Sequence, residues 1–204
     1  IRSDKDKNLT IRIESEIKAG EAPVELLGTD LTYREANMYK VRSKVIFIGK
    51  ALHRSSPILN SGPLPPKVGE KTTYTIMWEA RNFSNDLQGV EIKVPLPPNI
   101  SWEQSIFPAG SRLTIDTIAN QIIWKAGTVK AGTGILSPAL TVSFKIGLTP
   151  SEADVRKSPI LVGGAVLTGV DSFTKEPVKL NLEPLNTELK LDSLTIPREW
   201  EVVD

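Results

Sequence analysis

Strict alternation of apolar and polar side chains constrains this chain more than any other feature. In ALTVSFKIGL, over 139–148, Leu140, Val142, Phe144, Ile146 and Leu148 share one side, and Thr141, Ser143 and Lys145 the other. Successive side chains of a strand point to opposite faces, so such a run buries one face and leaves the other near water. Val90, Ile92, Val94 and Leu96 repeat the pattern around Glu91 and Lys93, and Tyr74, Ile76 and Trp78 repeat it around Thr73, Thr75 and Met77. Ile11, Ile13 and Ile17 line one side of LTIRIESEI. β-branched and aromatic residues fill these segments, as a pleated surface prefers. Helical periodicity is weak. Its best instance, 149–159, offers Ser151 as a cap, acidic Glu152 and Asp154 in the first turn and Pro159 as a stop, so one or two turns are expected there.

Turn-rich breaks at 20–23, 57–69, 95–99, 107–110, 127–138, 150–159 and Pro184 separate many short strands. That pattern predicts an all-β fold, an immunoglobulin-like antiparallel β-sandwich with an additional N-terminal strand-bearing segment. We place the sandwich at 56–192. The 1–55 segment is read as the end of a preceding repeat or as added edge strands, and 193–204 as a charged tail. Strands in 1–55 are too few to close a sandwich, and an orphan half-sandwich exposes edges and an apolar face. Their apolar side is therefore expected to be covered by the main domain, by another chain or by more of the same molecule.

Composition removes several function classes. The 25 basic and 24 acidic residues leave a net charge of +1, without the basic field that holds nucleic acid by counterion release. No apolar run approaches the roughly 20 residues that span a bilayer. Without cysteine there are no disulfides or thiolate metal sites, and the single histidine, His53, makes no histidine cluster. The chain starts at Ile1 in a polar stretch, and is read as a fragment or processed product whose targeting signal and anchor lie outside it. His53, Ser55, Ser56 and Asp30 do not form a serine-hydrolase pattern, since no G-x-S-x-G is present. Gly163–Gly164 lacks the Lys-Ser/Thr and helix of a phosphate loop, and is read as a bulge or a close approach of sheets. No catalytic residue and no cofactor is expected.

Other motifs admit two readings. PLPP occurs at 63–66, followed by Lys67, and again at 95–98. A Pro-x-x-Pro run before a basic residue is a polyproline ligand in some contexts, but Pro flanking strands more often blocks edge pairing and fixes φ. Trp78 and Trp124 share faces with Tyr74, Ile76 and Ile122 and are assigned to the core, where large side chains fill the place of an inter-sheet disulfide. Trp102, Trp200 and Lys67 are the candidate partner contacts, the two tryptophans for a surface glycan. Asp86, Asp116, Asp154 and Asp171 are isolated turn aspartates. Calcium needs six to eight oxygens, so no metal is expected, and Asp171 is the one weak candidate. Asn8, Asn82 and Asn99 begin N-x-[ST] sequons, read here as turn chemistry.

KVGEKTTYTIMWEARNFSNDLQGVEIKVPLPPNISW, at 67–102, resembles the conserved repeat domains of large bacterial and archaeal surface proteins. The family pattern P-G-[DE]-x-x-x-Y-x-[IV] corresponds to Val68, Gly69, Glu70, Tyr74 and Ile76. N-x-[SG] falls at Asn82 to Ser84, G-V-x-[IV] at Gly89 to Ile92, and L-P-x-x-[IV] at Leu96 to Ile100. IIWKAGTVKAGTG, at 122–134, is similar to a further segment, with Ala126 in place of Ile or Val. The likeness is poorer before Lys44. With SGPLPPK ahead and LTGVDSFTKEPV near the end, the chain is similar to the last module of multi-repeat envelope proteins of small-genome candidate-phylum bacteria. The resemblance implies outward-facing immunoglobulin-like repeats of a bacterial cell-surface protein. Such a module contacts neighbouring repeats or subunits, meets the membrane only through an anchor outside this chain, and acts in spacing, adhesion or assembly. The alternatives are a filament subunit that adds the strand MYKVRSKVIFIGKAL to a neighbour's sheet, or a carbohydrate-binding module.

Overall fold

A computed structural model describes residues 3, 6–21, 24–26 and 28–204. The turn expected at 20–23 lies in part outside these residues. Two antiparallel sheets pack face to face. One, in the order β3–β4–β9–β6, comprises β3 (Val45–Leu52), β4 (Thr72–Asn82), β9 (Leu140–Leu148) and β6 (Ile100–Phe107). The other, in the order β12–β11–β5–β8–β7, comprises β12 (Pro177–Asn181), β11 (Val166–Asp171), β5 (Leu87–Pro95), β8 (Gln121–Val129) and β7 (Leu113–Asp116). The chain leaves the first sheet after β4, returns for β6, crosses to the β7–β8 hairpin, returns for β9 and ends in β11–β12. This is the immunoglobulin-like sandwich that the alternation predicts. Two small ribbons complete the strands: β1 (Thr10–Lys18) with β2 (Thr32–Lys40), and β10 (Ile160–Val162) with β13 (Leu185–Asn186).

The alternating residues meet where the sheets face. Trp78 lies across from Val142, Ile76 from Phe144 and Tyr74 from Ile146, and all six are fully buried. In the facing sheet Ile92 pairs with Trp124 and with Leu167. Trp78 and Trp124 stack from opposite sheets, ring centroids 6.4 Å apart, and Phe144 meets Trp78 edge-on at 4.9 Å. Both tryptophans lie in the core, as the alternation predicts. Truncating Trp78 to Ala removes a buried side chain of the kind that costs about 3–5 kcal/mol.

β4 is buried on both faces. Its outer threonines are covered by 58–63: Ser61 N donates to Thr73 Oγ1 (2.7 Å) and Thr75 Oγ1 to Asn60 Oδ1 (3.2 Å). The expected short helix is a single 3₁₀ turn, Glu152–Asp154, with Asp154 accepting from Ser151 N at 2.9 Å. Gly163 N donates to the Pro95 carbonyl (3.0 Å), and a Cβ on Gly163 would lie 2.7 Å from Pro95 Cγ. Gly163 thus permits a close approach to the second PLPP run, and Gly164 one to the Leu182 carbonyl. β3 falls within the 1–55 segment and is hydrogen-bonded along β4 from Val45 to Leu52, so that segment supplies an edge strand.

β1 and β2 differ from every other strand. Like β10 and β13 they pair, among the described residues, only with each other, from Thr10 opposite Lys40 to Lys18 opposite Thr32; what sets them apart is their exposure. Every residue of both is exposed except Thr32, which is half-buried. The sandwich does not cover their apolar side. The stretch 38–52, read from the sequence as one long alternating strand, divides between β2 and β3.

Candidate functional site

The ribbon stands on a buried polar root. Asp171 closes β11 with no exposed surface, and its Oδ2 accepts from Ser43 N (2.9 Å) and Asn85 Nδ2 (2.8 Å). Its Oδ1 accepts from Phe173 N (2.9 Å) and Thr174 N (3.1 Å), an Asx turn of the kind aspartate favours. Ser43 Oγ donates to Asn82 Oδ1 (2.7 Å) and accepts from Ser84 N (2.8 Å). Asn82 Nδ2 donates to the carbonyls of Asn85 (2.6 Å) and Val129 (2.9 Å). Burial pushes the Asp171 carboxyl upward, but the bonds from Asn85, Ser43, Thr174 and Phe173 outweigh it and hold it below the usual carboxylate range.

Asn85 grips both ends of the ribbon. Its Nδ2 donates to the Val41 carbonyl just after β2 (2.9 Å), and its Oδ1 accepts from Asn8 N just before β1 (3.0 Å). Lys40 Nζ adds a bond to the Phe173 carbonyl (3.1 Å) and lies 5.0 Å from the centre of that ring. A charged, buried and hydrogen-bonded network fixes geometry well. The root is therefore rigid where the ribbon leaves the sandwich.

From that root the ribbon presents two unlike faces. Ile11, Ile13, Ser15 and Ile17 of β1 lie opposite Tyr39, Asn37, Glu35 and Tyr33 of β2, and all eight share one face. Ile11, Ile13, Ile17, Tyr33 and Tyr39 are each more than half exposed. The reverse face carries Arg12, Glu14, Glu16, Lys18, Arg34 and Lys40 around Ala36 and Met38. There Arg12 pairs with Glu14 (2.6 Å) and Arg34 with Glu16 (2.8 Å).

Residues singled out from sequence fall elsewhere. Asp171 has both oxygens engaged by N–H donors, so its lone pairs are committed to the root. Among the described residues no group of three or more His, Asp and Glu is arranged for a metal. Trp102 is half-buried, its ring 5.7 Å from Phe144. Trp200 is half-buried too, and its carbonyl accepts from Thr187 Oγ1 (2.7 Å).

The side chain of Lys67 is exposed, but its backbone bridges Val203 in parallel. Val203 N donates to the Pro66 carbonyl (2.9 Å) and Val68 N to the Val203 carbonyl (3.0 Å). On the other side Arg156 N donates to the Val202 carbonyl (2.9 Å). The 193–204 segment thus ends as a short strand between the first PLPP run and the loop after the 3₁₀ turn. That run is engaged by the chain itself, and Pro66 is buried.

A second carboxylate knot ties the same tail down. Asp192 accepts from His53 N (2.6 Å), Arg54 N (2.9 Å), Ser55 Oγ (2.6 Å) and Leu194 N (3.1 Å). Burial raises its pKa, and these bonds, led by Ser55, overcome that and bring it to about 2. The His53 ring lies edge-on to Tyr74 at 5.6 Å. Burial, reinforced by Arg54, lowers the His53 pKa against the opposite pull of Asp192 and Glu199. Sequence reasoning missed Ser43, Asn85 and Asp192, which carry no motif. Asn82 was noticed, as part of a sequon and of the family pattern.

No protein-family model matches the chain, and no curated protein matches it in sequence. Among solved structures it is similar to the major pilin subunit BcpA of Bacillus cereus, at 9% identity and a TM-score of 0.42, over 87% of this chain and 64% of that one. It is also similar to the full-length major pilin SpaD of Corynebacterium diphtheriae, at 13% identity and a TM-score of 0.41, over 71% of this chain and 34% of that one. The chain spans less than two thirds of the length of either pilin. No residue role is carried over from them. Among the described residues no helix is long and apolar enough to cross a membrane.

Proposed function

We propose that this chain is a structural repeat module of an exported bacterial cell-surface or envelope protein, without catalysis, serving as spacer, in adhesion or in assembly. One observation carries the reading: a densely packed sandwich holds, on a hydrogen-bonded polar root, an exposed ribbon whose apolar face is left uncovered among the described residues. A rigid body that presents a contact element is suited to joining neighbours. Its working surface is the ribbon, and its partners are neighbouring repeats or subunits. Its work is mechanical, since antiparallel ladders and a close-packed core resist extension along the chain.

Cell fractionation with protease shaving of intact cells tests this. The full-length protein is expected in the envelope fraction, with its sandwich epitopes accessible from outside. Recovery in the cytoplasm alone would refute the proposal.

A second reading is a filament subunit that assembles by β-strand addition. It is favoured by the outer edges of β1 and β2, which pair with no other strand among the described residues. Such edges accept a further strand through main-chain hydrogen bonds. Electron microscopy of concentrated protein, with and without a proline placed in β1, separates it from the first reading: filaments that the proline abolishes support strand addition.

A further inference from the structure

We infer that the apolar face of the β1–β2 ribbon is a self-association surface, and that its occupant is the same face of a second copy of this chain, packed antiparallel about a two-fold axis. The inference deepens the structural-module reading and rests on it only for the purpose such contacts serve.

A two-stranded ribbon is marginal in water unless a third strand or a packed layer covers its apolar side. Here both strands are exposed along their length, and the sandwich supplies no cover. Three isoleucines and two tyrosines, each 53–67% exposed, form the face. Together they offer on the order of 500 Å² per copy, so a face-to-face pair buries about 1,000 Å², the lower bound for a specific if weak interface. A patch of that size is among the largest a monomer ordinarily exposes, and such patches are often functional.

The register says which contact. The ribbon runs from Thr10–Lys40 to Lys18–Thr32, so Glu14 and Ala36 mark its centre. A two-fold axis in the ribbon plane, across the strands at that centre, carries position 11 onto 17, 13 onto 15, 33 onto 39 and 35 onto 37. Ile17 then meets the second copy's Ile11, and Tyr33 meets its Tyr39. Ile13 meets its Ser15, and Glu35, the single charge on the face, meets its Asn37. The carboxylate finds an amide donor, and no like charges oppose each other. The face is complementary to itself, as an isologous contact requires. The ion pairs Arg12–Glu14 and Arg34–Glu16 stay on the solvent side. The two roots lie at opposite ends of the pair, about 30 Å apart at strand rise, which keeps the sandwiches clear of one another.

Sedimentation equilibrium of the whole chain over a concentration series tests this, with far-ultraviolet spectra to show that each variant keeps its fold. The unaltered chain is expected to show a reversible monomer–dimer equilibrium below about a millimolar. Ile17→Glu, on an exposed position, is expected to weaken it at least tenfold. Asn37→Lys sets a lysine over the second copy's Glu35 twice and is expected to tighten it. Asn37→Glu sets like charges there and is expected to loosen it. A monomer at every concentration overturns the inference. So does a dimer indifferent to Ile17→Glu, as edge-to-edge strand pairing would be. A dimer that Asn37→Lys and Asn37→Glu shift in the same direction overturns the antiparallel register. A negative result leaves the surface-module reading standing, because that is decided by where the protein is found in the cell.

Discussion

Asp192 and His53 shape how this protein answers to acid, in two separate windows. Asp192 has its pKa brought to about 2, against 3.8 for an ordinary aspartate. A carboxyl lowered by folding contributes stability that is complete above the ordinary value and is lost as pH falls through the folded one. Asp192→Asn is expected to cost about 2 kcal/mol at neutral pH, because an amide cannot accept from so many N–H groups. The difference in melting temperature from the unaltered protein should narrow as pH falls from about 4 toward 2. Thermal melts across that range check it, and a constant difference would remove Asp192 from this role. His53 works in a higher window. Its folded pKa lies below the ordinary 6.5, mainly through burial. Below that value the unfolded chain takes up a proton before the folded one does, so stability declines as pH falls through 6.5. His53→Phe keeps a ring against Tyr74 and is expected to flatten the stability profile just below about pH 6.5. An unchanged slope there would show that His53 titrates freely.

The strands were legible and their cover was not. Alternation in β4, β5 and β9 reports a strand with two unlike faces, and the buried rows Tyr74–Ile76–Trp78 and Val142–Phe144–Ile146 follow from it directly. Ile11, Ile13 and Ile17 show the same alternation, yet their face meets water. Period two is a local property, whereas what lies against a face depends on topology. The polar roots were illegible for a related reason. Asp171 read as a turn aspartate and is one, but its bonds to Ser43 and Asn85 join positions far apart in the chain. The first PLPP run read as framework, and it proves to be one edge of a slot filled by the chain's own tail. Removing 201–204 takes away the partners of the Pro66 carbonyl, Val68 N and Arg156 N, together with the buried Val202 side chain. The truncated protein is expected to lose about 2–4 kcal/mol by chemical denaturation, the sum of unpaired backbone groups and lost apolar burial. A change below about 0.5 kcal/mol, the scale of a neutral surface alteration, would mean the tail merely rests there.

At the scale of the whole molecule the question is where the folding unit begins, and the pairing of β3 frames it. The sandwich needs β3: Phe47, Ala51 and Leu52 enter the core, and the strand closes β4's edge along its length. His53, Arg54 and Ser55, just beyond it, supply the donors to Asp192. The ribbon contributes nothing comparable to that core. Its links to the sandwich are the root bonds at Asn8, Lys40 and Val41. Two deletions follow from this asymmetry. A chain starting at Val41 keeps both sheets and Ser43, and is expected to melt within a few degrees of the full chain, a loss of about 1 kcal/mol. A chain starting at Ser56 exposes the β4 edge and opens a cavity at Phe47, and is expected to lose more than about 5 kcal/mol and to aggregate. Calorimetry of both proteins reads the difference. If the Val41 chain unfolds as readily as the Ser56 chain, the ribbon is part of the cooperative unit. If it folds and stays monomeric at concentrations where the full chain pairs, stability resides in the sandwich and association in the ribbon.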